Sequence, residues 1–252
     1  MTDLFRLDGS VAIVTGASSG LGVAFASALV DAGAAVAVSA RRADRLEQTR
    51  AALEARGGKV IAVPADVADP DQCAALAERT AEQFGKADIL VNNAGVGAGG
   101  PAVKEQPEAF RRVVDINLNG AFFMAQAFAR RAESGGVVVN IGSILGQTTA
   151  GLPHAAYAAA KAGISGLTRD LAAQWSSRRG IRVNCLAPGF FPSEMTDTYP
   201  DGYLERMARE RTLLGRLGDP AELAATLVWL VSPAAGYVTG QTIVVDGGVS
   251  IT

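Results

Sequence analysis

The run Val11-Ala12-Ile13-Val14, followed at once by Thr15-Gly16-Ala17-Ser18-Ser19-Gly20-Leu21-Gly22 and an Ala-rich helical stretch, constrains the fold more than any other segment. It reads as strand, glycine turn and helix, the unit that binds a dinucleotide, with the spacing G-x-x-x-G-x-G. Gly16 lets the chain turn off the strand, Gly20 lets backbone N–H groups approach a pyrophosphate, and Gly22 permits close packing of helix on sheet. The anion then sits at the positive helix end. Taken alone, the octapeptide is equally a glycine-rich turn with no ligand.

The rest of the chain alternates in the same way. Apolar strand-length runs fall near 11–15, 35–39, 59–64, 88–91, 137–142, 181–186 and 241–246, with helical stretches between them. That order predicts an α/β fold: a doubly wound parallel sheet of seven strands covered by helices on both faces. Asp69-Pro70 and Asp219-Pro220 each place a capping residue before proline at a helix start, and Glu222 completes a capping box. At 252 residues the chain suits one Rossmann-type domain spanning 1–252. The segment from about 190 to 216 breaks the alternation and reads as a substrate lid or a surface helical hairpin.

Three further segments bring chemistry to the strand ends. Asn92-Asn93-Ala94-Gly95 follows Ile89-Leu90-Val91, and Ser143 follows Val137-Val138-Val139-Asn140-Ile141-Gly142. Both lie at carboxyl ends of strands, where open parallel sheets bind ligands. Tyr157-Ala158-Ala159-Ala160-Lys161 sets a phenol and an ammonium on one helix face. A phenol of reference pKa about 10 becomes a useful acid or base near neutrality when a fixed cation favours phenolate, and Lys161 is that cation. Alone, the pair is also the pattern of a partly exposed aromatic beside a solvated lysine.

Together, Thr15 to Gly22, Asn92 to Gly95, Asn117, Ser143, Tyr157 with Lys161, and Pro188-Gly189 resemble the short-chain dehydrogenase/reductase family over essentially the whole chain. The stretch Gly240-Gln241-Thr242-Ile243-Val244-Val245-Asp246-Gly247-Gly248 is also similar. The resemblance implies a catalytic set of Asn117, Ser143, Tyr157 and Lys161. Tyr157 would exchange a proton with the substrate oxygen, Ser143 would hold that oxygen, and Lys161 would also bond the nicotinamide ribose. Asn117 would support a water and lysine proton relay, with Asn119 as its nearest competitor. Ser143 could equally cap its strand, and Asn117 could bond backbone within its helix.

The cofactor candidates are Gly16, Ser18, Ser19, Gly20, Leu21 and Gly22 in the turn, Ser39, Arg41 and Arg42 after the second strand, and Asp66 with Val67 beside the adenine. Asn93, Ala94, Gly95, Tyr157, Lys161, Pro188, Gly189 and Ser193 complete them. Ser193 stands where the family commonly has a threonine that bonds the nicotinamide carboxamide, with Thr196 competing. At the end of the second strand, Ala40 occupies the position where an acidic residue would select NAD(H). Ser39, Arg41 and Arg42 offer a 2′-phosphate charge-assisted hydrogen bonds. The expected cofactor is therefore NADP(H), with NAD(H) as the other possibility.

The substrate contacts expected are Ser143, Leu145, His154, Tyr157 and Phe190, with Leu152, Phe191, Met195 and Met207 bordering the pocket. His154 is the sole histidine, and a surface position suits it equally. Without a second histidine or a cysteine cluster, no metal site is expected. A formal charge of −2 with scattered arginine pairs gives no footprint for nucleic acid, and no apolar run spans a bilayer. The opening residues lack a signal-peptide pattern, and Cys73 and Cys185 read as reduced thiols, so a cytoplasmic setting is expected.

The preferred function is NAD(P)(H)-dependent interconversion of a carbonyl and a secondary alcohol. The alternatives are a 3-oxoacyl-ACP/CoA reductase, for which Arg130, Arg131, Arg178 and Arg179 offer docking charges, and a nucleotide-binding regulatory protein without turnover. The resemblance also implies a homotetramer built on long helices around 107–133 and 155–178, carrying Phe122, Phe128 and Trp175.

Overall fold

In a computed structural model, residues 2–97, 99–132, 135–149, 151, 153–196 and 199–252 are described; Leu152 lies outside them. Seven strands form one sheet: β1 (Val11–Thr15), β2 (Ala35–Ser39), β3 (Val60–Ala62), β4 (Ile89–Asn92), β5 (Gly136–Ile141), β6 (Ile181–Pro188) and β7 (Thr242–Val245). Their order is β3-β2-β1-β4-β5-β6-β7, with every neighbouring pair parallel. This is the doubly wound sheet that the alternation predicts.

Side chains alternate across the sheet and feed two cores. Ala12, Val14, Val36, Val38 and Val91 pack with Phe25 and Leu29 of α1 (Gly20–Asp31), Leu46 and Leu53 of α2 (Ala43–Glu54), and Leu227 of α8 (Pro220–Val231). Ile13, Ala37, Leu90 and Val138 face the other way. They meet Leu76 of α3 (Pro70–Phe84), Met124 and Phe128 of α5 (Gly120–Arg131) and Leu171 of α6 (Ala155–Arg179). Such a continuous apolar strand, buried on both sides, needs helices on both faces.

Helix starts follow the capping chemistry read from the sequence. Asp69 accepts from Asp71 N and Gln72 N, and Asp219 with Glu222 closes a reciprocal box. The stretch around 107–133 is not one helix. A wide π-type turn, Asp115–Asn119, separates α4 (Pro107–Val114) from α5. Phe128 is buried in the core of the chain itself, while Phe122 and Trp175 are partly buried against it.

The segment 190–216 contains α7 (Tyr203–Glu210). Tyr203 and Met207 pack with Phe190, Ile144, Leu145 and Val249 into a small core of their own. Its apolar side chains therefore hold it onto the loops after β5 and β7.

A buried polar chain crosses the sheet and α6. Asn92 Nδ2 donates to Asn140 Oδ1 at 2.9 Å and to Ala121 O at 2.9 Å, and Asn140 Nδ2 donates to Thr168 Oγ1 at 3.0 Å. Asn140 and Thr168 are both fully buried, so a lost partner cannot be replaced by water. Thr168→Val conserves shape but strips Asn140 of its acceptor, a loss of about 1–3 kcal/mol. The expected result is a melting temperature lower by about 2–4 °C per kcal/mol, with cofactor affinity unchanged, as thermal melts and titration would show.

Candidate active site

The site begins where β1 ends. Gly16 has φ +67° and Gly20 φ +54°, conformations that L side chains rarely adopt. A Cβ on Gly22 would lie 2.2 Å from Gly16 O, so only glycine lets α1 approach the turn this closely. Ser19 precedes the helix without a side-chain cap, which leaves the first backbone N–H groups of α1 available to an anion.

This turn is fixed to the end of β4. The Thr15 hydroxyl donates to Val91 O at 3.3 Å and accepts from Asn93 N at 3.0 Å and Ala94 N at 3.1 Å. Asn93 Nδ2 returns the contact, donating to Thr15 O at 3.0 Å and Gly16 O at 3.1 Å. Asn93, expected as a cofactor contact, thus spends its amide N–H groups on shaping the turn.

From the turn a cleft of about 540 Å³ runs along the strand ends. Every cofactor candidate read from the sequence lines it, together with Ser143, Leu145, Tyr157 and Phe190. Two candidates do not. His154 packs its ring against Tyr157 and Tyr199 at centroid distances of 6.3 and 5.8 Å, outside the lining. Asn117 is buried behind the wall, where Oδ1 accepts from Val96 N at 3.0 Å and Nδ2 donates to Val96 O at 2.8 Å. Its side chain therefore holds a loop of another element, neither its own helix nor Lys161.

Ser143, Tyr157 and Lys161 come together through glycine. A Cβ on Gly146 would stand 2.7 Å from the Lys161 carbonyl carbon, so its absence lets the turn after Ser143 rest on α6. Ser143 Oγ accepts from Leu145 N at 3.1 Å, capping the turn, and is also hydrogen-bonded to the Tyr157 phenol. Both readings of Ser143 hold at once. Lys161 is buried, its Nζ donating to Ile141 O at 2.6 Å and standing 5.6 Å from the Tyr157 ring centroid.

The expected depression of the phenol by Lys161 is absent in the free protein. Burial pushes the Tyr157 phenol up to about 12, against a downward pull from Ser143, although by area the side chain stays partly open to the cleft. Burial also pulls Lys161 down to about 8. Desolvation disfavours both charged forms.

At the end of β2, Ser39 Oγ is buried with no hydrogen-bond partner among the described residues, an orphaned donor that fits a ribose or phosphate oxygen. Arg41 faces Asp66 at 3.9 Å, and Arg42 is bonded to Glu194. Glu194, Met195, Tyr199 and Arg112 also line the cleft. Sequence reasoning assigned neither Glu194 nor Arg112 a role in the cleft. The one available signal for Glu194 was its place beside Ser193. Met207, expected at the pocket border, packs in the small core of the 190–216 segment and does not reach the lining.

A family model described as enoyl-(acyl carrier protein) reductase matches residues 16–250. The chain belongs to the short-chain dehydrogenase/reductase family. It is 40% identical over 253 residues to galactitol 2-dehydrogenase (L-tagatose-forming) from Cereibacter sphaeroides, covering 98% of both chains. It is 39% identical over 251 residues to a 3-oxoacyl-[acyl-carrier-protein] reductase from Synechocystis, covering 96% of this chain and 97% of that one. The crystal structure of a gluconate 5-dehydrogenase from Burkholderia cenocepacia, in complex with NADP and tartrate, superposes with a TM-score of 0.94 at 34% identity. That match covers 100% of this chain and 99% of the other. Like these relatives, the chain is an oxidoreductase with a nucleotide-binding fold.

The buried ammonium has a thermodynamic signature. Lys161 has a folded value near 8 against roughly 10.4 in an unfolded chain. The fold therefore disfavours its protonated form, a cost fully present below about pH 8 and gone above the unfolded value. Stability contributed through this group rises with pH across that window. Lys161→Met removes the cost, so the melting-temperature difference, variant minus parent, should fall between pH 7 and pH 10, as paired thermal melts would show.

Proposed function

We propose that the chain, acting as one unit over residues 1–252, is an NADP(H)-dependent oxidoreductase that interconverts a secondary alcohol and a carbonyl, with Tyr157 as acid–base group. The observation that carries this is the convergence of Tyr157, Ser143 and Lys161 on the cleft that starts at the glycine turn. The glycine turn and Ser39, with Arg41 and Arg42, would hold the cofactor's phosphates and adenosine ribose, and Asp66 with Val67 would border the adenine. Ser193 and the Pro188-Gly189 strand end would face the nicotinamide. When bound, the cofactor supplies or accepts the hydride.

This chain's residues manage the proton and the oxygen. A phenol held near 12 is fully protonated at neutral pH, which suits Tyr157 to donate to a carbonyl oxygen as charge develops there. Ser143, whose lone pair serves Leu145 N and whose hydroxyl is hydrogen-bonded to the Tyr157 phenol, stands beside Tyr157 to orient that oxygen. Removal of an alcohol proton in the reverse direction needs the Lys161 charge nearby. Asn117, by fixing Val96, holds the wall opposite.

The similarity to galactitol 2-dehydrogenase and gluconate 5-dehydrogenase favours polyols and their keto products as substrates. The similarity to 3-oxoacyl-[acyl-carrier-protein] reductases favours acyl thioesters instead. The surface offers the thioester reading less support: Arg131 is paired with Glu78 at 2.8 Å, and Arg179 donates to Ala129 O. The lid of residues 190–216, through Phe190 and Met195 and facing Leu145 from the turn after β5, would close over either substrate. A homotetramer in the cytoplasm accompanies this reading, supported by the family resemblance, by exposed Phe110 and Val103 around α4, and by two unpaired buried cysteines.

Following nicotinamide absorbance with polyols, ketoses and acyl thioesters tests the reading. Turnover confined to acyl thioesters would replace it with the reductase alternative. Tyr157→Phe is expected to lower kcat by at least about a hundredfold with cofactor affinity nearly unchanged, and near-parental turnover would refute the mechanism. Thr196 Oγ1 already donates to Ser193 O at 2.8 Å and accepts from Ser193 N at 2.8 Å. Ser193 Cβ lies over Gly20, 3.4 Å from where a Cβ would be. Ser193→Ala should therefore raise the cofactor Kd more than Thr196→Ala, measured by fluorescence titration; the reverse order reassigns the contact.

A further inference from the structure

The carboxylate of Glu194 reaches from the lid onto the adenosine end of the cleft. Its Oε2 accepts from Ser19 Oγ at 2.7 Å and Arg42 Nη2 at 2.7 Å. Its Oε1 accepts from Arg42 Nη1 at 2.8 Å and Arg45 Nη1 at 3.0 Å. Arg42 Nη2 also donates to Ser18 Oγ at 3.2 Å and Ser19 Oγ at 3.0 Å, so one guanidinium ties lid, turn and strand end together.

Two guanidinium groups and a hydroxyl around one anion are the donor set that grips a phosphate monoester. They stand just beyond Ala40, where the ribose 2′-position of a bound dinucleotide falls in this fold. Glu194 and Arg42 are each nearly half exposed, so the carboxylate is displaceable by a competing anion. It also leads back to the nicotinamide end, because Glu194 follows Ser193 in the turn closed by Ser193 and Thr196.

We infer that Glu194 is an internal stand-in for the 2′-phosphate of NADP(H), holding Arg42 and Arg45 until the cofactor displaces it and thereby setting cofactor selectivity. The inference rests on the NADP(H) reading of the strand end. Glu194 occupies the guanidinium groups that would grip the 2′-phosphate, so it weakens NADP(H) relative to NAD(H), which lacks that group. Its displacement releases the turn that carries Ser193, which couples binding at the adenosine end to the freedom of the lid.

The test is calorimetric titration of the full chain with 2′,5′-ADP and with 5′-AMP, in the parent, Glu194→Gln and Arg42→Ala. Glu194→Gln should tighten 2′,5′-ADP by on the order of three- to tenfold. 5′-AMP should stay unchanged, and the gain should shrink with added salt. Arg42→Ala should weaken 2′,5′-ADP selectively. If Arg42→Ala does so while Glu194→Gln leaves 2′,5′-ADP unchanged or weaker, the cofactor reading stands and Glu194 is only a brace, which overturns the inference. Equal tightening of both ligands by Glu194→Gln would also overturn it. If Arg42→Ala affects both ligands equally, the 2′-phosphate reading fails, and the inference falls with it.

Discussion

The site depends on the clamp between the glycine turn and the end of β4. Strand order reverses between β1 and β4, since β2 and β3 extend the sheet one way and β4 onward the other. At such a switch point the loops diverge and leave a crevice. Thr15 and Asn93 bridge that crevice at its floor through five hydrogen bonds. The mouth stays open while the backbone that would meet a pyrophosphate is rigid. Gly16 is pressed so closely against Ala94 that a Cβ there would lie 2.7 Å from Ala94 Cα.

The groups proposed for proton transfer are held against their electrostatic preference. Lys161 is almost entirely buried and donates to the backbone carbonyl of Ile141, and Tyr157 is raised by burial. A charge placed this way costs stability unless something else compensates. Such local conflict between folding and environment is common where chemistry is done. The bound cofactor would supply the missing polar partners, so the protein is better matched to its loaded form than to its free one.

Much of this was legible in the sequence. The alternation of apolar runs and helices predicted the sheet, and the glycine spacing predicted a turn whose φ values only glycine readily adopts. Those signals are local and periodic. What escaped was long-range side-chain geometry. Asn117 could be assigned to a helix, but its pairing with Val96 depends on the loop after β4 folding back. Glu194 is 152 residues from Arg42, and no pattern links them. His154 sits near Tyr157 on the chain, yet its ring packs behind Tyr157 and Tyr199, which line the cleft in its place. The lowered phenol pKa was inferred from helical spacing alone, which brings Lys161 near but carries no information about desolvation.

The wide turn at Asp115–Asn119 carries one residue more than an ordinary α-turn. One residue is roughly 100° of helix rotation, so the inward faces of α4 and α5 are set out of phase. On either side of it, Met124 and Phe128 of α5 are buried against the sheet, Val113 of α4 is buried, and Arg112 lines the cleft. Asn117 sits within the extra residue's turn, so its grip on Val96 depends on the same offset. The length of this segment is therefore more tightly constrained than the identity of most side chains in it, and a deletion of one residue would be a larger change than many substitutions.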